Sequence, residues 1–290
     1  MPSPEHPGRT LRTAMQSGVV AVPGAFNALV ARCIAEAGFQ ATYISGGATA
    51  NVAGYPDIGL ITLTEMCRTI KEVARASGLP VIVDADTAYG EFESAARTIH
   101  EYEHAGAAAL HIEDQVFPKR CGHLDGKRLV SCEDMCEKIR TMAGSRIDPD
   151  FLIIARTDAR GVTSMEDAIE RAHAYRAAGA DMIFPEGLAN ASEFGTFAEA
   201  CPGLLLANMT EFGKTESITL DEFGALGYSI VIYPLSMMRV AMGAVTRGLE
   251  VLKSRGSVES LLDGMQTREE LYRTLGYRPG EPWHFPGSST

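Results

Sequence analysis

No stretch of this chain stays apolar for the length of a membrane span, and its first residues, Met1-Pro2-Ser3-Pro4-Glu5-His6-Pro7, lack the apolar core of a secretory signal. Positive charge is also scarce: 26 Lys and Arg stand against 37 Asp and Glu, a formal net charge of -11. A surface of that sign repels phosphate backbones and anionic lipid, so neither nucleic acid nor a membrane is expected as partner. A small anionic substrate would then need locally concentrated cations or a metal. The six cysteines, Cys33, Cys67, Cys121, Cys132, Cys136 and Cys201, form no CxxC pair and no regular framework, which predicts reduced thiols in a cytoplasmic protein. Cys132 and Cys136 share a helix face at i,i+4, a spacing that without nearby histidine means packing rather than metal. No Pro-, Gly- or Ser-rich linker interrupts the chain, and one domain over residues 1–290 is expected.

What is present is alternation. Short Val/Ile/Leu/Ala runs predict strands at Val19–Val22, Ala41–Ser45, Val81–Asp86, Ala109–Glu113, Phe151–Thr157, Met182–Pro185, Leu204–Met209 and Ser229–Tyr233. Near-continuous apolar runs of this kind suit parallel strands covered on both sides. Segments of helical period lie between them. Thr64 precedes one such run, Ser131 opens another with Asp134 three residues on, and Gly106 and Gly179 sit where helix C-caps belong. Eight strands so arranged predict a closed (β/α)8 barrel, with extra helices from Ser236 and a loose tail at Pro286–Thr290.

In such a barrel the carboxyl ends of all strands meet at one face. The polar residues trailing the runs then converge: Ser45, Gly46 and Gly47; Asp84 and Asp86; Glu113; Arg156 and Asp158; Glu186; Asn208 and Thr210. Asp84, Asp86 and Glu113 are oxygen-only donors, which favour Mg2+ or Mn2+ over zinc, or else they cap the following loops. Ser45-Gly46-Gly47 reads as a backbone nest for an anion or as a plain tight turn. Arg156 leaves a buried strand and needs a carboxylate partner, either Glu186, a substrate or another internal acid. Asn208 and Thr210 present an amide and a hydroxyl on one side, suited to a carboxylate or to loop capping. His111, within its strand, reads as a core residue.

Between two of these strands lies Phe117-Pro118-Lys119-Arg120-Cys121-Gly122-His123. Neighbouring cations favour thiolate over thiol, which makes Cys121 a candidate for proton transfer or nucleophilic attack. His123 either orients or protonates a ligand or is simply solvated. Gly122 and Gly126 supply hinges.

Lys119-Arg120-Cys121-Gly122-His123, Val83-Asp84-Ala85-Asp86, His111-Ile112-Glu113-Asp114-Gln115 and Ala155-Arg156-Thr157-Asp158 together resemble the isocitrate lyase/phosphoenolpyruvate mutase superfamily. The likeness runs from Tyr43-Ile44-Ser45-Gly46-Gly47 to Met265-Gln266-Thr267-Arg268. The Cys-Gly-His loop is similar to that of the lyase branch, and within it the chain most resembles the 2-methylisocitrate lyases, with 2,3-dimethylmalate lyases and related diacid or oxaloacetate lyases as the alternative. The segment Leu124-Asp125-Gly126-Lys127 departs from the more basic pattern of some members. A metabolite-binding barrel without activity is the reading from outside enzymology. The resemblance implies a (β/α)8 barrel with a terminal helix swapped between subunits of a homotetramer. It implies retro-aldol (Claisen-type) cleavage of a di- or tricarboxylate, with Asp84 and Asp86 positioning Mg2+ and Glu113 in its water shell. It further implies Ser45, Gly46 and Gly47 at the pyruvate portion and Cys121 as acid. Arg120, Gly122, His123, Arg156, Glu186, Asn208 and Thr210 would surround the succinate portion, with Arg239 and Arg268 as further substrate contacts. Tyr43 or a metal-linked carboxylate is the candidate base.

Overall fold

The apolar runs become eight strands: β1 (Val20–Pro23), β2 (Thr42–Ile44), β3 (Val81–Asp84), β4 (Ala109–Glu113), β5 (Leu152–Thr157), β6 (Met182–Pro185), β7 (Leu206–Asn208) and β8 (Ile230–Tyr233). The computed structural model describes residues 6–120, 122 and 126–284. Every strand pair is parallel, in the orders β2-β3-β4-β5-β6 and β1-β8-β7. Single bridges, Gly24 to Tyr43 and Ile183 to Leu205, join the two sheets and close the predicted barrel. β3 ends two residues before the expected Asp86, because Asp86, Ala88 and Tyr89 take φ values of 47°, 69° and 57° and turn the chain off the barrel. Three non-glycine residues in the left-handed region mark a strained turn.

Strand side chains alternate between two buried clusters. One, between the sheet and the helices, includes Val81, Val83, Leu110, Ile112, Ile153 and Ala155. The other fills the barrel and includes Ile82, Ala109, Leu152, Ile154, Met182 and Leu206, with Leu11 from the N-terminal helix Pro7–Gln16 in the same cluster.

The helix predicted after Thr64 begins earlier: Thr62 is its cap and forms a capping box with Glu65. Ser131 caps Cys132–Ser145 through the Asp134 N–H at 3.0 Å, and Gly106 and Gly179 close their helices in the left-handed region as expected. Ser45 opens neither a tight turn nor a free nest but a short helix, Gly46–Val52, whose Ala48 N–H its hydroxyl accepts at 3.2 Å.

Past β8 the helix Ser236–Arg255 runs 20 residues and buries none of them. Met242, Val245, Leu249 and Leu252 are 52%, 48%, 62% and 47% exposed, so an apolar stripe at helical spacing stands uncovered among the described residues. The helix Arg268–Thr274 instead returns to the barrel, where Arg32 donates to the Thr274 carbonyl at 3.1 Å and the Thr274 hydroxyl to Glu36 at 2.9 Å. Among the described residues no helix is long and apolar enough to cross a membrane. The predicted tail at 286–290 lies outside the described residues.

Candidate active site

Period two along each strand places the site. Ile82 faces the barrel interior, so Asp84 two residues on does as well; by the same count Ile154 leads to Arg156, Phe184 to Glu186, and Leu206 to Asn208. These groups line one cavity with Tyr43. Around it also lie Ser45, Gly47, Asp57, Lys119, Gly122 and Thr210, while Phe184, Ile232, Pro234 and Leu235 give it apolar surface. A larger cavity, about 610 Å3, lies by the strained Thr87–Glu91 turn, but its one cationic side chain, Lys138, already donates to the Thr87 and Gly90 carbonyls at 3.0 Å. Converging charge belongs to the smaller one.

One side of it is a nest of carboxylates around an amine. Lys119 Nζ lies 2.7 Å from Asp86 and also pairs with Asp57, with only 3% of its side chain exposed. Burial alone would lower this ammonium, but Asp86, Glu113, Asp84 and Asp57 hold it well above its ordinary value. Burial, then the Asp84 charge, pushes Asp86 up to about 6. Burial also raises Glu113 far above the usual range, against the pull of Arg156. Asp84 goes the other way: burial opposes its ionisation, yet nearby cations lower it. Of those, His111 lends no charge at neutral pH, because burial pushes it down to about 4; Lys119 and Arg156 supply the pull.

Gly46 and Gly47 serve these acids. The Gly46 N–H donates to Asp84 at 3.0 Å, and a Cβ at Gly46 would meet Asp84 at 3.0 Å and Asp86 at 3.3 Å. A Cβ at Gly47 would meet Asp57 at 3.1 Å. Only glycine lets the helix start lie so close to three carboxylates.

Tyr43 and His111 form a buried pair. The tyrosine oxygen lies 2.8 Å from His111 Nε2 and the rings stack at 5.8 Å, while Nδ1 sits 3.6 Å from Asp84 without a hydrogen bond. His111 is thus only half satisfied, contrary to its reading as a completed core residue. Burial and the Asp84 charge keep Tyr43 well above its usual pKa and therefore protonated.

On the other side is Arg156. Its first partner is neither Glu186 nor a vacant place for substrate but Asp158, which it grips with Nε at 2.9 Å and Nη2 at 3.1 Å. Glu113 and Glu186 lie at 3.3 and 3.6 Å, and the Phe184 ring centroid at 5.3 Å. Asn208 donates to Glu186 at 3.2 Å, and its buried Oδ1 has no hydrogen bond. Arg239 sits behind the lining, donating to Thr210 at 3.0 Å and pairing with Glu211 at 2.8 Å.

Arg268 is not brought to this cavity. It lies on the helix that packs beside Ala28–Glu36, where it lines a separate cleft with Tyr272 and Tyr277. Cys121 and His123 lie outside the described residues. Their neighbour Arg120 is bracketed by Gln115, whose amide donates to its carbonyl at 2.8 Å and accepts from its N–H at 3.0 Å. Sequence reasoning missed Asp57, which sits in a Pro/Gly turn with no periodicity to expose it, and the buried Lys127, which pairs with Asp158 at 2.6 Å.

The donor set fits a divalent cation of the oxygen-loving kind. Asp86 Oδ1 and Glu113 Oε1 are buried without a hydrogen bond, although the Lys119 ammonium stands beside the first. Among the described residues no three metal-ligating side chains close on one point. Mg2+ is held by one or two carboxylates and keeps several waters.

The phosphoenolpyruvate phosphomutase family matches residues 10–253. The chain is 51% identical to a probable 2-methylisocitrate lyase of Corynebacterium glutamicum, over 89% of this chain and 85% of that one. It is 48% identical to a 2-methylisocitrate lyase of Aeropyrum pernix, over 96% and 90%. Among solved structures, a 2,3-dimethylmalate lyase aligns with a TM-score of 0.89 at 37% identity, covering 94% of this chain and 93% of that one. A phosphonopyruvate hydrolase complexed with oxalate and Mg2+ aligns with a TM-score of 0.84 at 28% identity, over 94% and 95%.

Proposed function

The chain belongs to the phosphoenolpyruvate phosphomutase family, and within it we propose that it is a carbon–carbon lyase that cleaves 2-methylisocitrate to pyruvate and succinate. The observation that carries this reading is the division of one small cavity into an acid-and-ammonium side, a guanidinium side and an apolar surface of Phe184, Ile232, Pro234 and Leu235. A tricarboxylate with one methyl group has those three needs.

Mg2+ held by Asp84 and Asp86 would polarise the substrate hydroxyl and its neighbouring carboxylate. Lys119 and the helix start at Ser45–Gly47 hold the pyruvate end. Arg156, Asn208 and Thr210, aided by Gly122 and Arg120, take the carboxylates of the succinate end, with Glu186 orienting Arg156 and Asn208. In the reaction the hydroxyl loses its proton and the bond between the hydroxyl-bearing carbon and the neighbouring carboxylate-bearing carbon breaks. The electron pair moves into that carboxylate as a dianion, and a proton is returned to the new carbanion. Cys121 is the acid that returns it, with His123 as a second candidate for moving that proton. Tyr43, protonated in the free protein, would receive the hydroxyl proton as it passes its own to His111 Nε2, 2.8 Å away.

The 2,3-dimethylmalate lyase likeness supports a second substrate, a diacid that would use the same apolar surface and leave part of the guanidinium side unfilled. Turnover on 2-methylisocitrate, 2,3-dimethylmalate and oxaloacetate separates the readings: the tricarboxylate should give the highest kcat/KM. Preference for 2,3-dimethylmalate would replace the assignment. The reading extends to a cytoplasmic homotetramer in which Ser236–Arg255 crosses to a neighbour, which would cover its bare stripe. Light scattering at the mass of the 31.1 kDa monomer would exclude it.

A further inference from the structure

We propose that Lys138 is a positioning residue for Asp86: its buried ammonium fastens the strained turn that follows β3, and so sets where the Asp86 carboxylate points in the acid nest. The inference goes beyond the lyase reading and draws on the cation site for its consequence only.

The turn is held in a conformation that its residues do not favour. Asp86, Ala88 and Tyr89 take φ values of 47°, 69° and 57°, and none of them is glycine. Backbone in that region persists only where its surroundings over-determine it. Here the surroundings are donors to the turn's carbonyls. The Tyr102 hydroxyl donates to Asp84 at 3.0 Å, the Glu113 N–H to Asp86 at 2.9 Å and the Thr98 hydroxyl to Ala88 at 3.2 Å. Thr87 and Gly90, which bracket Ala88 and Tyr89, are both held by Lys138 Nζ at 3.0 Å.

A lysine is a costly donor for that task. Lys138 comes from the helix Cys132–Ser145 with 8% of its surface exposed. Burial draws its pKa below the ordinary value, and the charges of Glu91 and Asp134 offset this only in part. What the ammonium adds over a hydroxyl is reach and two donors at one point. The turn borders the larger cavity, about 610 Å3, whose lining includes Thr87, Tyr89, Gly90 and Lys138 itself. On that side no packed side chain restrains the turn, and the lysine is the tether.

The residue that gains is the first of the turn. The φ of 47° at Asp86 accompanies a carboxylate that stands 2.7 Å from Lys119 Nζ. A relaxed turn would return Asp86 to an ordinary backbone conformation and take its carboxylate out of the nest. A group held in advance needs no ordering when its ligand arrives, and small misplacements weaken what it holds.

The test is Lys138→Met, which keeps the stem and removes the ammonium. In metal-free protein, amide hydrogen exchange of the peptide covering 86–91 should quicken by about tenfold or more, because exchange follows local opening, while the β4 and β5 peptides stay protected. Binding of Mn2+ alone, followed by electron paramagnetic resonance, should weaken by about tenfold or more. Lys138→Arg can reach both carbonyls with its forked donors and should restore both readouts to within about threefold. Thr98→Val removes the hold on Ala88 at constant shape and should shift both readouts in the same direction by a smaller factor, which keeps the test usable if Lys138→Met does not fold. Unchanged exchange at 86–91 in a folded Lys138→Met protein would overturn the proposal. So would quickened exchange with unchanged Mn2+ affinity, which would make the lysine a structural tie without effect on Asp86. If the natural chain binds no Mn2+, the cation reading fails and the exchange measurement still judges the hold on the turn.

Discussion

The inward face of the barrel changes character within a single strand. On β5, Leu152 and Ile154 pack the lower interior and Arg156, two residues higher, enters a web of three acids and one further cation; β3 makes the same step from Ile82 to Asp84. The lower layer holds the fold by apolar burial with no polar group to satisfy. The upper layer is almost as buried but is assembled from charges whose desolvation each must be offset by a neighbour. The same scaffold thus separates stability from chemistry by a rise of one residue pair, and substitutions in the two layers should fail in different ways.

The widest gap is expected at Asp86→Ala, which should cut kcat by about a thousandfold or more through loss of the cation site, while melting temperature falls only modestly because Lys119 keeps Asp57 as a partner. Thermal melting beside steady-state kinetics reads both, and loss of fold in step with activity would erase the distinction between layers. Ile154→Ala should do the reverse, costing about 2–5 kcal/mol in urea unfolding with kcat little changed. A dead but stable Ile154→Ala protein would count against it.

The boundary between the layers is His111, which burial keeps neutral with a pKa pushed down to about 4. Its folded pKa lies below the unfolded value of about 6.5, so the unfolded chain binds the proton more readily and stability is lost as pH falls from about 6.5 toward 4. The His111 share of this loss should reach about 2–3 kcal/mol at pH 4.5 relative to pH 7.5, opposed by Asp86 and Glu113, whose raised values favour the folded protonated form, so the difference between the natural and His111→Gln curves isolates it. An unchanged curve would place His111 among charged groups instead. Smallest of all should be Arg68→Ala, which breaks a pair with Glu72 at 2.9 Å that is 81% and 52% exposed. It should leave the urea midpoint nearly unmoved, in contrast to the rim pairs, and denaturant titration checks that.

The strands are legible in the sequence because buried parallel strands need unbroken apolar runs, and each predicted end falls within two residues of the observed one. The acids and Arg156 at the rim are legible for the same reason, since a charge that closes a buried apolar run must meet a partner, a ligand or solvent at the strand end. Loop geometry is not. Asp57 and Lys127 come from segments without period, and nothing local announces that one meets Lys119 and the other Asp158. Thr62 carries a better cap signal than Thr64: Glu65 stands three residues on, whereas Thr64 has Cys67 there. Ser45-Gly46-Gly47 reads as an anion nest or a turn because two glycines rarely start a helix, and only the nearby aspartates account for them. The stripe on Ser236–Arg255 predicts burial, but the surface that covers it is not on the same chain among the described residues.

The most direct measurement is a time course of purified protein with 2-methylisocitrate and Mg2+, quantifying pyruvate and succinate together and repeated with Asp86→Ala. Equal amounts of the two products from the natural chain, and neither from the variant, are predicted. A folded natural protein that releases no pyruvate, or an Asp86→Ala protein that releases it at the natural rate, would contradict the account.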